Sequence, residues 1–369
     1  MSDASTASTA STASTASTAS VTGASTSAPT VSTQPVQFPP ILPAHAAVTT
    51  DGEIEERPEG YLGPDLDPAG LTLHPKPLGD GVYALLASQI PKDNGGVIVG
   101  SRIALVVDAG MNLEMGRQIQ QIVRQLTDRP LRFVVNTTYH GDHTFGNAAF
   151  PAEVHIVSSR LNRTSMHDLE REKRIRSRNL RGNLAAIEGV VAWREPDLTF
   201  EHFMEIDLGG RVAQIWAFGQ GNGPGDVVVY EPVTRTAWTG NFLGHAGVAP
   251  MLLEGGPRPY IESLKRMRAT LDVRTIVPGH GPMAQGAETI DWMIQYLTEL
   301  DREVRAGMDQ GLTLDQLLAR RQPPTAEQLP PQARQHLGDL NRNMDRLNVL
   351  ATYRDVERRA VRSPAGAGR

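Results

Sequence analysis

Residues 136–147 read NTTYHGDHTFGN, which places two imidazoles and a carboxylate, His140, Asp142 and His143, within four positions. Histidine and aspartate are the side chains that hold zinc, iron or manganese. The Gly and Asn residues around them are turn formers, which lets a short loop aim several side chains at one point. A further histidine, His280, lies in PGHGP (278–282). Between these two motifs lie GQGNGPGD (219–226) and WTGNFLGH (238–245), which carry the amides Asn222 and Asn241. The chain has no cysteine, so thiolate ligands, thiolate nucleophiles and disulfides are excluded. The chemistry within reach of these residues is that of a metal held by nitrogen and oxygen.

Such residues need rigid elements behind them. GVYALLAS (81–88), GGVIVG (95–100), IALVVDAG (103–110), LRFVVN (131–136) and VHIVSS (154–159) are short, β-rich, glycine-punctuated runs. Consecutive apolar residues in the first and third predict strands buried on both faces. LRFVVN runs straight into the motif loop, so the motif leaves a strand at its C-terminal end, a usual position for a site in a layered α/β protein. Met115, Ile119, Ile122, Val123 and Leu126 have helical spacing over 112–128. A long charged helix is expected over about 160–187, with solvated i,i+4 pairs such as Glu170–Arg174 and Glu172–Arg176. The second half repeats the pattern: strands RVAQIWAF (211–218), DVVVYEP (226–232), RTAWTGN (235–241) and TIVPG (275–279), with helices over 258–270, 286–307 and 338–360. Two strand-rich halves with helices between and outside them predict stacked sheets covered by helices.

The remainder of the chain sets the boundaries. Residues 4–20 repeat Ala-Ser-Thr with period three and contain no large apolar residue. Nothing there offsets the chain entropy of folding, so 1–45 is expected to be a disordered tail. An extended lead-in follows over 46–77, then the main domain over 78–307, a helical extension over 308–362 and a disordered tail over 363–369. The formal charge of -5 is mild for 369 residues and argues against a nucleic-acid binder. No apolar run is long enough to span a bilayer. No secretory signal is recognisable at the N-terminus, and a cytoplasmic location is expected. Leu340, Met344, Leu347, Leu350 and Tyr353 form an apolar stripe that predicts either packing on the domain or a homodimer contact through the C-terminal helices.

The order LVVDAG, NTTYHGDHTFGN, GPGDVVVYEP, WTGN, VPGHGP resembles the metallo-β-lactamase fold superfamily over roughly Leu78 to Pro282. The resemblance implies an αββα four-layer sandwich with additional C-terminal helices. It also implies ligand positions. Thr138 stands where the family has its first His, His140 at the second, Asp142 and His143 at the Asp-His pair. Asn222 stands at the loop His, Asn241 at the bridging Asp and His280 at the final His. The set for one metal is reduced to His140, while Asp142, His143 and His280 keep the set for the other. The resemblance therefore implies one divalent metal per chain, zinc first, iron or manganese second, with His140 and Thr138 as possible additional ligands. Asp108 and Asp226 are expected to support the ligands from behind.

The implied activity is mononuclear hydrolysis of a small-molecule ester, lactone, thioester or amide, with metal-activated water as nucleophile. Asp142 sits at the metal, His140 is expected to move protons, and Asn222 and Asn241 to hold an oxyanion. The replaced ligands leave two alternatives open. One is a non-hydrolytic lyase, cyclase or oxygen-using enzyme; the other is a binding protein that has lost its metals.

Overall fold

The computed structural model describes residues 52–362 apart from Ala326 and Gln328. The tracts expected to be disordered, 1–45 and 363–369, lie outside these residues. The first sheet contains β1 (Leu73–Gly79), β2 (Val82–Ala87), β3 (Gly95–Val99), β4 (Ala104–Val107), β5 (Leu131–Val135), β6 (His155–Ser159) and β7 (Leu198–Phe200), side by side in chain order. The meander β1–β4 is antiparallel, and β4 to β7 are parallel. The second sheet contains β8 (Phe203–Asp207), β9 (Val212–Trp216), β10 (Val228–Glu231), β11 (Thr236–Gly240), β12 (Thr275–Pro278) and β13 (Ala284–Gln285), again as chain neighbours. Here β11 and β12 form the parallel pair.

The consecutive apolar residues of β4 divide by parity, because successive side chains point to opposite faces. Leu105 and Val107 enter the core between the sheets, where they join Val135, Val157, Ile215, Val229, Trp238 and Val277. Ala104 and Val106 face outward with Val134 and Ile156, against Ile119, Ile122 and Val123 of helix α1 (Leu113–Leu126). The Asn112 side chain starts that helix by accepting from Met115 N at 2.9 Å. The motif loop holds a one-turn helix, α2 (Gly141–Thr144), followed by a 3₁₀ turn at Phe145–Ala149.

The long helix expected over 160–187 is three short ones: α3 (Arg160–Ser165), α4 (Leu169–Ser177) and α5 (Ala185–Glu188). Asp168 caps α4 by accepting from Arg171 N, and Arg181 and Gly182 take positive φ beyond it. Charge patterning carries no information about such breaks. Nor is α4 a solvated helix, because Glu172, Ile175 and Arg176 are buried. Those two charges are turned toward the site.

On the side of the second sheet lie α6 (Pro257–Thr270) and α7 (Gly286–Asp309), which pack together. Val228, Tyr230, Ala237 and Ile276, opposite in parity to the inter-sheet residues, are buried there. The result is the expected αββα order with further helices, α8 (Leu314–Arg320) and α9 (Pro331–Arg362). α9 begins earlier than its apolar stripe suggests. That stripe is used within the chain, where Leu347 and Leu350 pack on Leu253. Two buried asparagines two turns apart tie α9 to the loop after β11. Asn341 accepts from Ala249 N at 2.6 Å and donates to Gly247 O at 2.9 Å. Asn348 accepts from Leu252 N at 2.8 Å and donates to Pro250 O at 2.7 Å.

Candidate metal centre

The site lies at the C-terminal ends of four strands. β4 ends in Asp108, β5 in the loop 136–147, β11 in Asn241 and β12 in the turn that carries His280. Asp108 holds a positive φ of 61°, unusual for a residue with a Cβ. That turn sends its carboxylate back over the motif. Asp108 accepts from Thr137 N and Thr137 Oγ1, both at 2.8 Å, and from His143 Nδ1 at 2.9 Å. Gly240 has φ 50°, and a Cβ there would lie 2.0 Å from Thr137 Oγ1. Only glycine lets the β11 loop approach the motif loop so closely.

Three of the sequence-assigned ligands converge. His280 Nε2 lies 3.2 Å and His143 Nε2 3.5 Å from Asp142 Oδ2. The protons are set by the opposite ring nitrogens. His280 Nδ1 is 2.9 Å from Pro91 O, and a carbonyl only accepts, so the lone pair falls on Nε2. His143 Nδ1 donates to Asp108 in the same way. With the Nδ1 protons fixed in this way, Nε2 is the ligating atom of each ring once it is deprotonated, and both Nε2 atoms face Asp142 Oδ2.

Asp93 joins this group, and sequence reasoning missed it. One oxygen of Asp93 lies within 4.8 Å of ligand atoms from Asp142, His143 and His280. Its Oδ1 is 3.4 Å from His280 Nδ1. In the sequence Asp93 is one acid in a KDNG turn; a backbone bridge to His280 brings it in. Both Asp93 oxygens and Asp142 Oδ1 are buried with no hydrogen-bond partner among the described residues. Buried carboxylate oxygens without donors are strongly unfavourable, and a divalent cation removes that cost. Two carboxylates, two imidazole Nε2 atoms and these orphaned oxygens fit a divalent ion.

The electrostatics agree. Burial opposes the charge on Asp142, but His143, His280 and Arg176 outweigh it and hold its pKa well below the usual value. Burial pushes Asp93 up to about 7. Burial also disfavours charge on His143, yet Asp108 and Asp142 raise it to about 10. The metal-free protein thus carries an imidazolium at His143 near neutrality. A raised histidine pKa stabilises the metal-free fold fully below 6.5, and that contribution is lost as pH rises through about 10. Metal binding must displace the same proton. At pH 8, where Asp93 is ionised and His143 is not yet neutral, one proton is expected to leave per metal bound. Titration calorimetry in buffers of different ionisation enthalpy checks this, and release of no proton would contradict the role given to His143. Affinity is expected to rise about tenfold per pH unit across that window.

The family's other metal position is depleted of ligands. Only His140 offers an imidazole there, and its Nδ1 lies 3.4 Å from both Thr138 Oγ1 and Asn241 Nδ2. Burial and the Arg176 charge hold the His140 pKa well below the usual value. The ring stays neutral and accepts protons weakly, so its environment does not favour the general-base role expected from sequence. Asn222 gives one of its two amide N–H groups to Met251 O at 2.7 Å; its Oδ1 is buried and unpartnered. Asn241 joins the two histidines, with Oδ1 3.2 Å from His143 Nε2. Asp226 accepts from Gly223 N at 3.1 Å and ties the glycine-rich loop, with burial pushing its pKa to about 7.

In place of metal ligands this position has a buried charge cluster. Arg176 contacts Glu53 through Nη2 and lies 3.0 Å from Glu172 Oε1 through Nε. Glu172 in turn accepts from Gly141 N at 2.7 Å, which braces the turn between His140 and Asp142. The Glu172–Arg176 pair was visible in the sequence as a helical spacing; its burial was not. Asp142, Arg176, Asn222, Asn241 and His280 line a cleft. Leu66, Met251, Leu253, Leu337, Leu340 and Met344 also line it, the last three from α9.

Comparison with known proteins agrees with this construction. The sequence model of the family described as the metallo-beta-lactamase superfamily matches residues 94–280, just over half of the chain. The chain belongs to that superfamily. Among curated proteins it is 23% identical over 279 residues to a linear primary-alkylsulfatase from Pseudomonas sp. (strain ATCC 19151), over 65% of this chain and 52% of that one. Among solved structures, a double mutant of the sec-alkyl sulfatase PisA1 superposes with a TM-score of 0.55 at 14% identity, over 77% of this chain and 50% of that one. A metallo-beta-lactamase from Pontibacter korlensis gives 0.49 at 18% identity, over 62% of this chain and 99% of that one. The chain spans about half the length of the two sulfatases. Among the described residues no helix is long and apolar enough to cross a membrane.

Proposed function

We propose that this chain is a mononuclear metal-dependent hydrolase of a small ester with an anionic head and an apolar tail, a sulfate monoester of an alcohol being the first class to test. The observation that carries the metal reading is the convergence of His143 Nε2 and His280 Nε2 on Asp142 Oδ2, at 3.5 and 3.2 Å, with the Nδ1 protons held by Asp108 and Pro91. The cleft supports the substrate class, because its lining combines the polar and charged groups at the candidate metal centre with aliphatic side chains such as Leu253, Leu337 and Met344. The alkylsulfatase relative points to the same class.

A divalent ion held by Asp142, His143 and His280 would supply Lewis acidity and a water of lowered pKa, near 7 for zinc. The chain's own residues do the rest. Asp108 keeps the His143 proton on Nδ1. Asn241 Nδ2 lies 3.4 Å from His140 Nδ1 and orients that ring. The apolar lining excludes water from the tail and strengthens the charges at the candidate metal centre. The overall reaction consumes one water and converts R–O–SO₃⁻ to R–OH and HSO₄⁻.

The test is elemental analysis combined with a substrate panel. About one metal per chain is expected, with release of inorganic sulfate from decyl sulfate. Two metals per chain would overturn the mononuclear reading. Full metal loading with no sulfate release, but turnover of decyl acetate, would reassign the substrate to neutral esters.

A further inference from the structure

The superfamily position that has lost its metal ligands has gained a fixed cation. Arg176 is 4% exposed, yet it lines the cleft. Nη2 donates a hydrogen bond to Glu53, while Nε lies 3.0 Å from Glu172 Oε1 as an ion pair without hydrogen-bond geometry. The third, Nη1, lies 3.8 Å from Asp142 Oδ1, beyond hydrogen-bond length. Nη1 makes no hydrogen bond among the described residues. The Glu53 hydrogen bond and the Glu172 ion pair hold the guanidinium in place, and the side chain lines the cleft beside Asp142 and Asn241. Arginine presents planar, directional donors that suit sulfate and phosphate oxygens.

We propose that Arg176 Nη1 docks an anionic oxygen of the substrate and takes over the charge-holding part of the missing metal. This rests on the hydrolase reading above and deepens it. Glu53 and Glu172 are positioning residues; Glu53 reaches Arg176 from 123 residues away. The arrangement selects for anionic over neutral esters, because a neutral substrate leaves the Nη1 donors without a partner in a nearly dry site.

The test uses the zinc-loaded protein and decane-1-sulfonate, an anion whose C–S bond does not hydrolyse. Arg176→Met is paired with Glu53→Gln so that the charge removed is balanced. The double variant is expected to bind the sulfonate about 10- to 100-fold more weakly, with 1-decanol binding unchanged and zinc content unchanged. With decyl sulfate, KM is expected to rise by more than kcat falls. Equal sulfonate affinity in variant and wild type would overturn the proposal. A crystal structure of the zinc-loaded wild-type protein with decane-1-sulfonate reads the same point without a variant. A sulfonate oxygen on Nη1 is expected there, and a headgroup placed away from Arg176 overturns the proposal. Failure both to release sulfate from decyl sulfate and to turn over decyl acetate would reject the hydrolase reading but leave this complex intact, so the two failures are separable.

Discussion

Asp142→Asn is expected to reduce metal content from about one per chain to near zero and to lower turnover by about 10³-fold or more. Asp142 is the residue on which both imidazole Nε2 atoms converge, and among the described residues its carboxylate alone contacts Nε2 of both His143 and His280. Asparagine keeps the shape and removes the charge, which isolates ligation from packing. Loss of a metal's Lewis acidity removes several kcal/mol of transition-state stabilisation, which corresponds to three or more powers of ten in rate. The core between the sheets does not include this side chain, so the circular dichroism of the variant should match wild type. Retention of one metal per chain by the variant would move the centre elsewhere, and Asp93 would be the first alternative.

The second large effect is structural. Asn348→Leu is expected to destabilise the fold by about 3–5 kcal/mol, since it strands several buried polar groups at about 1–3 kcal/mol each. Asn348 is fully buried and serves Leu252 N, Pro250 O and the Tyr296 hydroxyl, the last at 2.9 Å. Tyr296 passes the network on to Asp345 at 2.7 Å. Against a typical total of about 5–15 kcal/mol, such a loss brings much of the population near unfolding at moderate urea. Urea titration reads it directly. The same substitution frees the loop 247–253 from α9, so weaker binding of long-chain ligands is expected in the fraction still folded. Met344→Leu, which alters the same wall while conserving volume, is expected to cost less than about 1.5 kcal/mol. A loss below about 1 kcal/mol for Asn348→Leu would mean that α9 is held by its apolar face alone.

The comparison of these two residues shows what kind of information each needs. Asp142 is legible in the chain: ligand types at close spacing, on a loop leaving a strand, in an order that resembles one superfamily. The same reasoning located His143, His280, Asp108 and the emptied first-metal set, and the structure brings Asp142, His143, His280 and Asp108 together. Strand parity explains why β4 reads as unbroken apolar sequence, since both faces are covered. Asn348, in contrast, is one polar residue on a helix whose apolar stripe already accounts for its burial. Nothing local marks an asparagine that satisfies a loop 96 residues earlier.

By itself, then, the sequence determined the layered architecture and pointed to three candidate ligands, because strand period, turn residues and motif order are local properties of the chain. Tertiary structure alone decided that Arg176 is buried, that Glu53 and Asp93 enter the site, and that α9 forms a wall of the cleft. The reason is energetic: a charge or amide is stable in the interior only beside partners that neutralise it or complete its hydrogen bonds. Here those partners come from segments far away along the chain, so the same residues read in isolation look like a solvated helix, a turn and a polar tail.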